Sequence, residues 1–289
     1  MVLAPKHCAE AIAKAKGKTL IITGAGVSTE FPSSLPDYRG VNGRYRQPSY
    51  TKAMTHQEYM GSLANRQRFW GRSLFGFSSF ELAQPNRSHH MLHRLQAGGL
   101  AHGIITQNVD RLHFKAGSAD AVELHGRGDL VECQTCFATM VRSQFQAQMR
   151  AANREWIASV GEDRVEQTAD GDALLPSVID TSQLRILPCH QCGAGVWKPQ
   201  FVFFGGSVPR EVAARANHLV SDAELVLLIG STAHTFSCYR LLRDARMGKK
   251  PVFIINQGPT RADELAISKH DSTGCGEFLQ QVEEELLSG

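Results

Sequence analysis

The sequence lacks any apolar run of the roughly 20 residues that a membrane-spanning helix requires. Its longest apolar runs are short stretches such as Leu225–Ile229. Residues 1–16 contain no long apolar segment of the kind found in secretory signals, and a strand-like pattern already begins near Lys18. We therefore expect a soluble protein without a membrane partner. Its expected location is the cytoplasm of a bacterium, or the mitochondrial matrix for the mature form of a eukaryotic protein.

A strong charge of either sign is also absent. The chain carries 31 basic and 28 acidic residues, a formal charge of +3, and the basic residues are spread along its whole length. Proteins that bind nucleic acid through its phosphates usually present a clustered basic surface. The charge pattern therefore argues against a direct nucleic-acid partner.

The chain has seven cysteines, and their spacing is informative. Four of the seven cysteines form two Cys-x-x-Cys pairs, Cys133 with Cys136 and Cys189 with Cys192. In a chain without an export signal, an odd number of cysteines does not indicate a disulfide framework. Two such pairs are typical of a tetrahedral zinc site, and four thiolates leave no position open for water, so we predict one structural zinc ion. The alternatives are four unrelated buried cysteines, or His190 as a competing ligand.

Continuous apolar runs recur along the chain, and each ends in small or polar residues. The runs cover residues 19–22, 103–105, 225–229 and 251–255. Runs without polar alternation predict parallel strands that are covered on both faces. Helical patterns lie between them, at 7–15, 87–96, 210–220, 239–245 and 277–287. This alternation predicts an α/β fold with a Rossmann-like, doubly wound parallel sheet.

Two stretches interrupt the alternation. Residues 42–85 are rich in aromatic residues, Arg and Gln and carry no strand signal, which predicts a helical insertion. Residues 129–198 contain both cysteine pairs and predict a zinc-binding module. We expect these two segments to form a small lobe, and residues 1–41, 86–128 and 199–289 to form the Rossmann-like domain. The active site is expected in the cleft between them.

The motif Gly24-Ala25-Gly26-Val27-Ser28 follows the first predicted strand. Glycines at this position let the backbone approach a pyrophosphate at the start of a helix. The third glycine of G-x-G-x-x-G is missing, because Thr29 stands there. Taken alone, the motif therefore fits an ordinary strand-to-helix turn equally well.

Further motifs accompany this loop in a definite order. They are Pro36-Asp37-Tyr38-Arg39-Gly40, Thr106-Gln107-Asn108-Val109-Asp110-Arg111-Leu112-His113, Glu123-Leu124-His125-Gly126, Val202-Phe203-Phe204-Gly205, Gly230-Ser231-Thr232 and Ile255-Asn256. The ordered set resembles the sirtuins, the NAD-dependent protein deacylases, from about Lys18 to Glu285. The segments 255–261 and 275–277 are most similar to the class II branch, which contains the sirtuin 4-like proteins and bacterial relatives.

The resemblance implies that NAD binds to the Rossmann-like domain as a consumed co-substrate. It assigns to NAD the residues Gly24, Ala25, Gly26, Asp37, Tyr38, Arg39, Gln107, Asn108, Asp110, Gly230, Ser231, Thr232, Asn256 and Cys275. For Cys275 we expect a backbone contact, so its thiol need not be reactive. Without the family, Asp37 would be an exposed turn residue, and Asn108 or Asp110 a helix N-cap.

The resemblance makes His125 the catalytic base, with Asn108 and Asp110 as the other catalytic residues. A neutral imidazole accepts a proton near cellular pH, although an isolated histidine is more often a core residue. In the implied reaction, the acyl oxygen of a modified lysine attacks C1′ of the nicotinamide ribose and nicotinamide leaves. His125 then activates a ribose hydroxyl, which gives deacylated lysine and O-acyl-ADP-ribose.

The implied partner is an acylated lysine on a protein substrate. Val202, Phe203 and Gly205 resemble the strand-like segment that pairs with a substrate backbone, although a buried strand also explains the first two. Departures from the family lie in the longer 29–35 connection and in Gly206, where an acidic residue is usual. Because the stretch 69–72 lacks a Tyr-x-x-Arg pair, acidic acyl groups are disfavoured, and a deacetylase type is expected.

Two other functions remain open from the sequence. Protein ADP-ribosylation would use the same NAD site with a different nucleophile. A non-catalytic NAD-sensing interaction protein would need the site but no base, so the presence of Asn108, Asp110 and His125 together argues against it.

Overall fold

The computed structural model describes residues 1–40, 43–46, 53–161, 166–167, 173–175 and 179–288. The chain forms two compact units. The first comprises Met1–Arg46, Ala83–His125 and Val208–Gly289, and the second comprises Gln47–Leu82 and Gly126–Ser207.

The helices and strands alternate along much of the chain. The helices are α1 (Pro5–Lys14), α2 (His56–Gly61), α3 (Leu63–Leu82), α4 (Arg87–Ala97), α5 (Leu112–Lys115), α6 (Arg142–Ala152), α7 (Arg154–Val160), α8 (Arg210–Asp222), α9 (Phe236–Met247) and α10 (Cys275–Ser288). The strands are β1 (Thr19–Thr23), β2 (Ala101–Thr106), β3 (Val122–Glu123), β4 (Gly126–Cys133), β5 (Thr139–Val141), β6 (Glu166–Gln167), β7 (Ala173–Leu174), β8 (Trp197–Phe201), β9 (Leu225–Ile229), β10 (Val252–Ile255) and β11 (Ser268–His270). Short 3₁₀ turns cover Ala25–Ser28, Arg44–Arg46 and Asp263–Leu265.

The first unit is built on a parallel six-stranded sheet with the order β11-β10-β9-β1-β2-β3. Numbered along the chain, these strands lie in the order 6-5-4-1-2-3, which is the doubly wound Rossmann arrangement. The order reverses between β1 and β9. Ligands of such sheets bind outside the carboxyl ends of the strands at this reversal.

The sheet is covered on both faces, as its continuous apolar strands predict. Ile21 of β1 packs into a core formed with α1, α4 and α10, whereas its neighbours Leu20 and Ile22 pack into a second core formed with α8 and α9. All three side chains are fully buried. Each such side chain contributes about 1.5–3 kcal/mol relative to an exposed one. The predicted α/β class is therefore confirmed.

The second unit contains a three-stranded antiparallel sheet with the order β5-β4-β8, together with α2, α3, α6 and α7. Its core is aromatic and includes Tyr59, Trp70, Phe145 and Trp197. Helices α2 and α3 fall within the expected helical insertion. Residues 42 and 47–52, at the beginning of that segment, lie outside the described residues, as does residue 41 before it.

The units differ in extent from the expected domains. Residues 199–207 were expected in the Rossmann-like domain, but they group with the second unit because β8 pairs with β4. Residues 126–128 group with the second unit for the same reason, since β4 begins at Gly126. Among the helices of the described ranges, none combines the length and apolar character needed to cross a membrane.

Candidate active site and metal site

Two glycine-containing loops meet where the strand order reverses. The loop after β1 begins at Gly24, and the loop after β9 begins at Gly230. The Gly26 amide donates a hydrogen bond to the Gly230 carbonyl at 2.8 Å. Gly230 has a φ of +60°, and a Cβ there would lie 2.5 Å from the Val27 nitrogen. Only glycine allows these backbones to approach so closely.

The segment after Gly24 differs from the helix that the motif predicts. Ala25–Ser28 forms a single 3₁₀ turn. The side chain of Asn86 explains where this turn ends, because its Nδ2 donates to the carbonyls of Val27 at 2.8 Å and Glu30 at 3.2 Å. The loop is therefore fixed by a side chain of the segment preceding α4.

Gln107 and Asn108 follow β2 and connect the two loops. Gln107 Nε2 donates to the Thr23 carbonyl at 3.1 Å and to Ser231 Oγ at 2.8 Å. Asn108 Nδ2 donates to the Gly24 carbonyl at 3.1 Å and lies 3.2 Å from Ser28 Oγ. The structure thus brings both predicted residues to the carboxyl ends of the strands.

Asp110 makes both a local contact and a contact with the glycine loop. Its Oδ1 accepts from the Leu112 amide at 2.9 Å, close to the helix-capping alternative. Its Oδ2 accepts from Ser28 Oγ at 2.7 Å. The carboxylate is buried, with 6% of the residue's surface exposed. Local capping therefore accounts for only one of its two oxygens.

Two buried histidines, His89 and His113, lie beside the Asp110 carboxylate. Their ring centroids are 5.0 Å apart, and His113 Nε2 is 2.9 Å from Thr23 Oγ1. Burial, with an added contribution from the neighbouring His90, lowers the pKa of His89 to about 3. Burial and His89 together lower the pKa of His113 to about 3, despite the nearby Asp110. Both rings are therefore neutral near pH 7, so neither places a positive charge beside the loop after β1.

His125 lies in the turn after β3, and both ring nitrogens have partners. Nδ1 is 3.1 Å from the Gln107 carbonyl, and Nε2 is 2.8 Å from Ser237 Oγ. Burial lowers the pKa of the imidazole below its usual value, and the hydrogen bond to Gln107 only partly opposes this effect. The ring is therefore neutral near pH 7, as a general base must be.

The remaining residues assigned to NAD lie on the other side of the reversal. Ser231 Oγ accepts from the Ala233 amide at 3.1 Å, and the Thr232 carbonyl accepts from the Arg261 amide at 2.9 Å. Asn256 is buried at the end of β10, where its Nδ2 donates to the Gln257 carbonyl at 2.8 Å. Burial raises the pKa of the Cys275 thiol to about 12, in keeping with an unreactive side chain.

Asp37, Tyr38 and Arg39 form a local cluster with Tyr45. Asp37 Oδ1 accepts from the Gly40 amide at 3.1 Å, and burial raises the pKa of this carboxyl. The Tyr38 and Tyr45 rings are 5.6 Å apart, and the Arg39 guanidinium lies 4.6 Å from the Tyr45 centroid. Asp37 is half-buried, so the exposed turn of the alternative interpretation does not describe it.

The longer connection at residues 29–35 is anchored at both ends. The Leu35 amide donates to the Ser28 carbonyl at 2.9 Å, and Ser33 Oγ donates to the Gln84 carbonyl at 2.7 Å. Glu30 Oε1 accepts from the Gly276 amide at 2.8 Å, in the first turn of α10. A carboxylate at a helix N-terminus is electrostatically favourable.

The donor set of the first unit fits NAD. Amide, carboxylate and hydroxyl groups of Asn108, Asp110, Ser231 and Asn256 all follow the carboxyl ends of sheet strands. These are the groups that bind carboxamide and ribose hydroxyls. The glycine loops supply close backbone approach at the reversal, where a dinucleotide binds in this fold.

The four cysteines of the two Cys-x-x-Cys pairs meet in the second unit. Their Sγ atoms all lie within 4.8 Å of one another, with 3.8 Å between Cys133 and Cys192 and 3.6 Å between Cys136 and Cys189. Tetrahedral zinc at about 2.3 Å from each sulfur places the sulfurs about 3.8 Å apart. The four-cysteine set therefore fits one structural zinc ion, and the alternative of unrelated cysteines is wrong.

The surroundings of the cluster support the same assignment. The backbone amides of Thr135 and Gln191 lie 3.4 Å from the sulfurs of Cys133 and Cys189, as expected for hydrogen bonds to thiolates. A Cβ on Gly195 would lie 2.0 Å from Cys133 Sγ, so no larger residue fits there. His190 stacks on Trp197 with ring centroids 5.6 Å apart and is outside the described ligand group.

The proposed substrate segment is less regular than expected. Strand β8 ends at Phe201, and Gly205 turns with a φ of +73°. Phe203 is buried against Tyr59 and Phe69, with ring centroids 5.0 and 5.3 Å apart. Val202 is only half-buried, so a buried strand does not describe it.

The sequence assigns no role to several residues of the site. Ser28 and His113 stand within the quoted motifs without an assigned role, and His89 has the pattern of an ordinary core or surface histidine. Thr235 and Ser237 begin α9, where hydroxyl residues usually read as helix caps. Only tertiary contacts, such as the one from Thr235 to the side chain of Gln107, identify these residues as part of the site.

Comparison with known proteins agrees with this geometry. The sequence profile described as "Sir2 family" matches residues 24–237. An "NAD-dependent protein deacetylase" of Xanthomonas axonopodis pv. citri (strain 306) is 42% identical over 262 residues, covering 91% of this chain and 85% of the relative. The "NAD-dependent protein deacylase Sirt4" of Drosophila melanogaster is 39% identical, covering 92% and 83%.

The fold agrees as well. A solved structure described as "Sir2-p53 peptide-NAD+" superposes with a TM-score of 0.76 at 25% identity, covering 99% of this chain and 100% of that one. The resemblance inferred from the ordered motifs is therefore confirmed, including its bacterial and sirtuin 4-like relatives. The chain belongs to the Sir2 family, the sirtuins.

Proposed function

We propose that this chain is an NAD-dependent protein lysine deacylase of deacetylase type that releases nicotinamide and O-acyl-ADP-ribose. The observation that carries the proposal is the network at the strand reversal. It places a neutral His125 on the backbone of Gln107, whose side chain bridges the Thr23 carbonyl and Ser231. Gln107 thus contacts the proposed base through its backbone and the proposed NAD site through its side chain.

The NAD end of the site combines a carboxylate with amides and hydroxyls. Asn108 and Asp110 would bind the nicotinamide carboxamide and the adjoining ribose, because they lie beside the glycine loop through Ser28. When bound, NAD supplies an electrophilic ribose carbon whose leaving group is nicotinamide. The protein's role at this end is to orient the nicotinamide and the ribose, and to keep positively charged side chains away from them.

His125 performs the proton transfer. Its Nδ1 faces a carbonyl oxygen, which only accepts hydrogen bonds, so the neutral ring carries its proton on Nδ1. The lone pair is then on Nε2. This nitrogen is the one that takes the proton of a ribose hydroxyl, while the Gln107 carbonyl stabilises the resulting imidazolium.

The protein substrate is proposed to bind to the backbone around Val202, Phe203 and Gly205. The Phe203 carbonyl accepts from the Gly206 amide at 2.9 Å and the Gly205 carbonyl accepts from Gln57 Nε2 at 3.1 Å, so the half-buried Val202 is the proposed pairing position. Main-chain pairing of this kind tolerates varied side chains around the acylated lysine.

Mass spectrometry tests the proposal directly. The purified chain is incubated with NAD and a panel of acyl-lysine peptides, and all products are identified. We expect deacylated peptide, nicotinamide and O-acyl-ADP-ribose in equal amounts. ADP-ribosylated protein without deacylation would support the ADP-ribosyltransferase alternative, and absence of NAD turnover would support the binding-protein alternative.

Asp110→Asn should lower NAD turnover about ten- to hundredfold, because a hydrogen bond to a charged group is typically worth about 1.5–3 kcal/mol. The amide keeps an oxygen for the Leu112 amide, so the melting temperature should change by only a few degrees. Deacylation and nicotinamide exchange should fall together. Steady-state kinetics and thermal melting check this result, and unchanged NAD affinity and turnover would leave Asp110 as a helix cap only.

Glu30→Gln should raise the KM for NAD about threefold and leave kcat nearly unchanged. The amide still accepts from Gly276 but loses the charge at the α10 N-terminus, an interaction typically worth about 0.3–1 kcal/mol. Because Glu30 joins the cofactor loop to α10, binding should suffer more than chemistry. Initial rates across NAD concentrations test this, with the exposed Glu10→Gln as control; a fall in kcat at constant KM would contradict it.

A further inference from the structure

The first turn of α9 carries two hydroxyl side chains that do not cap the helix. Thr235 is the N-cap residue, yet its side chain makes no capping hydrogen bond. Its Oγ1 instead donates to Gln107 Oε1 at 3.2 Å. Ser237, two residues later, has its Oγ 2.8 Å from His125 Nε2. Serine and threonine at helix starts normally satisfy backbone amides.

The hydrogen bond made by His125 Nδ1 determines whether the Ser237 hydroxyl donates to Nε2 or accepts from it. Since Nδ1 of neutral His125 donates to the Gln107 carbonyl, Nε2 has a lone pair and no proton. The Ser237 hydroxyl is then the donor and Nε2 the acceptor. The imidazole is held between a fixed backbone carbonyl and a helix-borne hydroxyl.

We propose that Ser237 is a positioning residue for the base, which holds the His125 ring in its reactive orientation by donating to the Nε2 lone pair until the reacting ribose hydroxyl takes that place. This inference rests on the proposed function of His125. Helix α9 would then orient the His125 ring through Ser237, a role that neither the sequence of the helix nor its packing requires.

A proton balance accompanies this role. Before reaction, the Ser237 hydroxyl donates to Nε2. The reacting ribose hydroxyl displaces the Ser237 hydroxyl from the single in-plane lone pair of Nε2 and passes its proton there. After the ribose oxygen has moved away, the Ser237 hydroxyl accepts a hydrogen bond from the new N–H. Serine can do both because it carries one donor and two acceptor lone pairs. No proton leaves Ser237, so it supports the base without replacing it.

The test compares Ser237→Ala, Ser237→Thr, His125→Ala and the double variant Ser237→Ala/His125→Ala in the full chain. Ser221→Ala is the matched control, since its exposed hydroxyl bonds only within α8 and to its neighbour Asp222. NAD and an acetyl-lysine peptide serve as substrates. O-acyl-ADP-ribose formation, exchange of labelled nicotinamide, NAD affinity and melting temperature are measured for each protein.

We expect Ser237→Ala to lower product formation about three- to tenfold, the range for loss of one neutral hydrogen bond. Nicotinamide exchange and NAD affinity should change less than twofold, because these precede the step that uses the base. Ser237→Thr, which keeps the hydroxyl, should restore product formation to within about threefold. In the His125→Ala background, loss of Ser237 should have no further effect.

Three results would overturn the proposal. These are unchanged product formation in Ser237→Ala, equal losses in product formation and exchange, or an undiminished effect of Ser237→Ala in the His125→Ala background. The last two describe a residue that merely supports the fold.

Imidazole ¹⁵N NMR reports the tautomer and the hydrogen bonding of His125 directly, so it tests the role of Ser237 without relying on deacylase activity. The His125 signals are identified by their absence in His125→Ala. We expect an Nδ1–H tautomer whose Nε2 resonance shifts in Ser237→Ala and returns in Ser237→Thr. An inactive chain that shows this shift would contradict the deacylase proposal alone, and an unshifted resonance would contradict the role of Ser237 even in an active enzyme.

Discussion

Cys192→Ser should release zinc and unfold the second unit near physiological temperature. A structural zinc ion contributes on the order of 10 kcal/mol of apparent binding free energy in small modules. That is comparable to the whole stability of a domain, about 5–15 kcal/mol. Serine has nearly the shape of cysteine but is not a zinc ligand at neutral pH. Cys192 is the exposed member of the set, so the substitution places no hydroxyl in the core.

The measurements are zinc per chain by elemental mass spectrometry and thermal melting by circular dichroism. We expect one zinc per chain in the unmodified protein, a substoichiometric amount in Cys192→Ser, and a lower melting temperature. His190→Ala is the matched control, because it lies between two ligands but stacks on Trp197. It should keep its zinc. A Cys192→Ser protein with full zinc and normal melting would overturn the four-thiolate site.

The features that could be predicted from sequence are those set by local pattern. The strands that end at Thr23 and Ile229 can be predicted because a parallel strand that is buried on both faces has a continuous apolar run without polar alternation. Both cysteine pairs were predictable because two-residue spacing brings two sulfurs to one ion. The ordered motifs then placed His125 and Asp110 on the same sheet edge. In each case the chemistry is readable from a few consecutive residues.

The remaining features depend on contacts between distant residues. Nothing near Ser237 indicates that its hydroxyl reaches a histidine 112 positions earlier. The boundary at β8 was misplaced because its pairing partner, β4, lies more than sixty residues before it. The neutral state of His89 and His113 likewise follows from their burial, which no local pattern predicts. The side-chain hydrogen-bond network of a site therefore cannot be predicted from local sequence patterns alone.

His125→Ala should reduce deacylation by about 10² to 10⁴, the usual contribution of a positioned general base. The loss should appear in O-acyl-ADP-ribose formation. Nicotinamide exchange should suffer less, because nicotinamide departs before the base acts. NAD affinity should survive, since the imidazole has no part in the adenosine half. The same three measurements on Asp110→Asn should give the opposite pattern, with exchange and deacylation reduced together.

The pH dependence provides a second measurement of the same base. Burial lowers the pKa of His125, so its neutral form persists below the usual histidine value of about 6.5. Deacylation should therefore remain active below that pH and fall only as the pH passes through the lowered pKa. His218→Ala, on an exposed face of α8, is the control and should match the unmodified enzyme throughout.

Deacylation by His125→Ala at the unmodified rate would eliminate His125 as the base. Parallel losses of NAD affinity and melting temperature would instead make its role structural, because a base acting after nicotinamide departure has no reason to affect either.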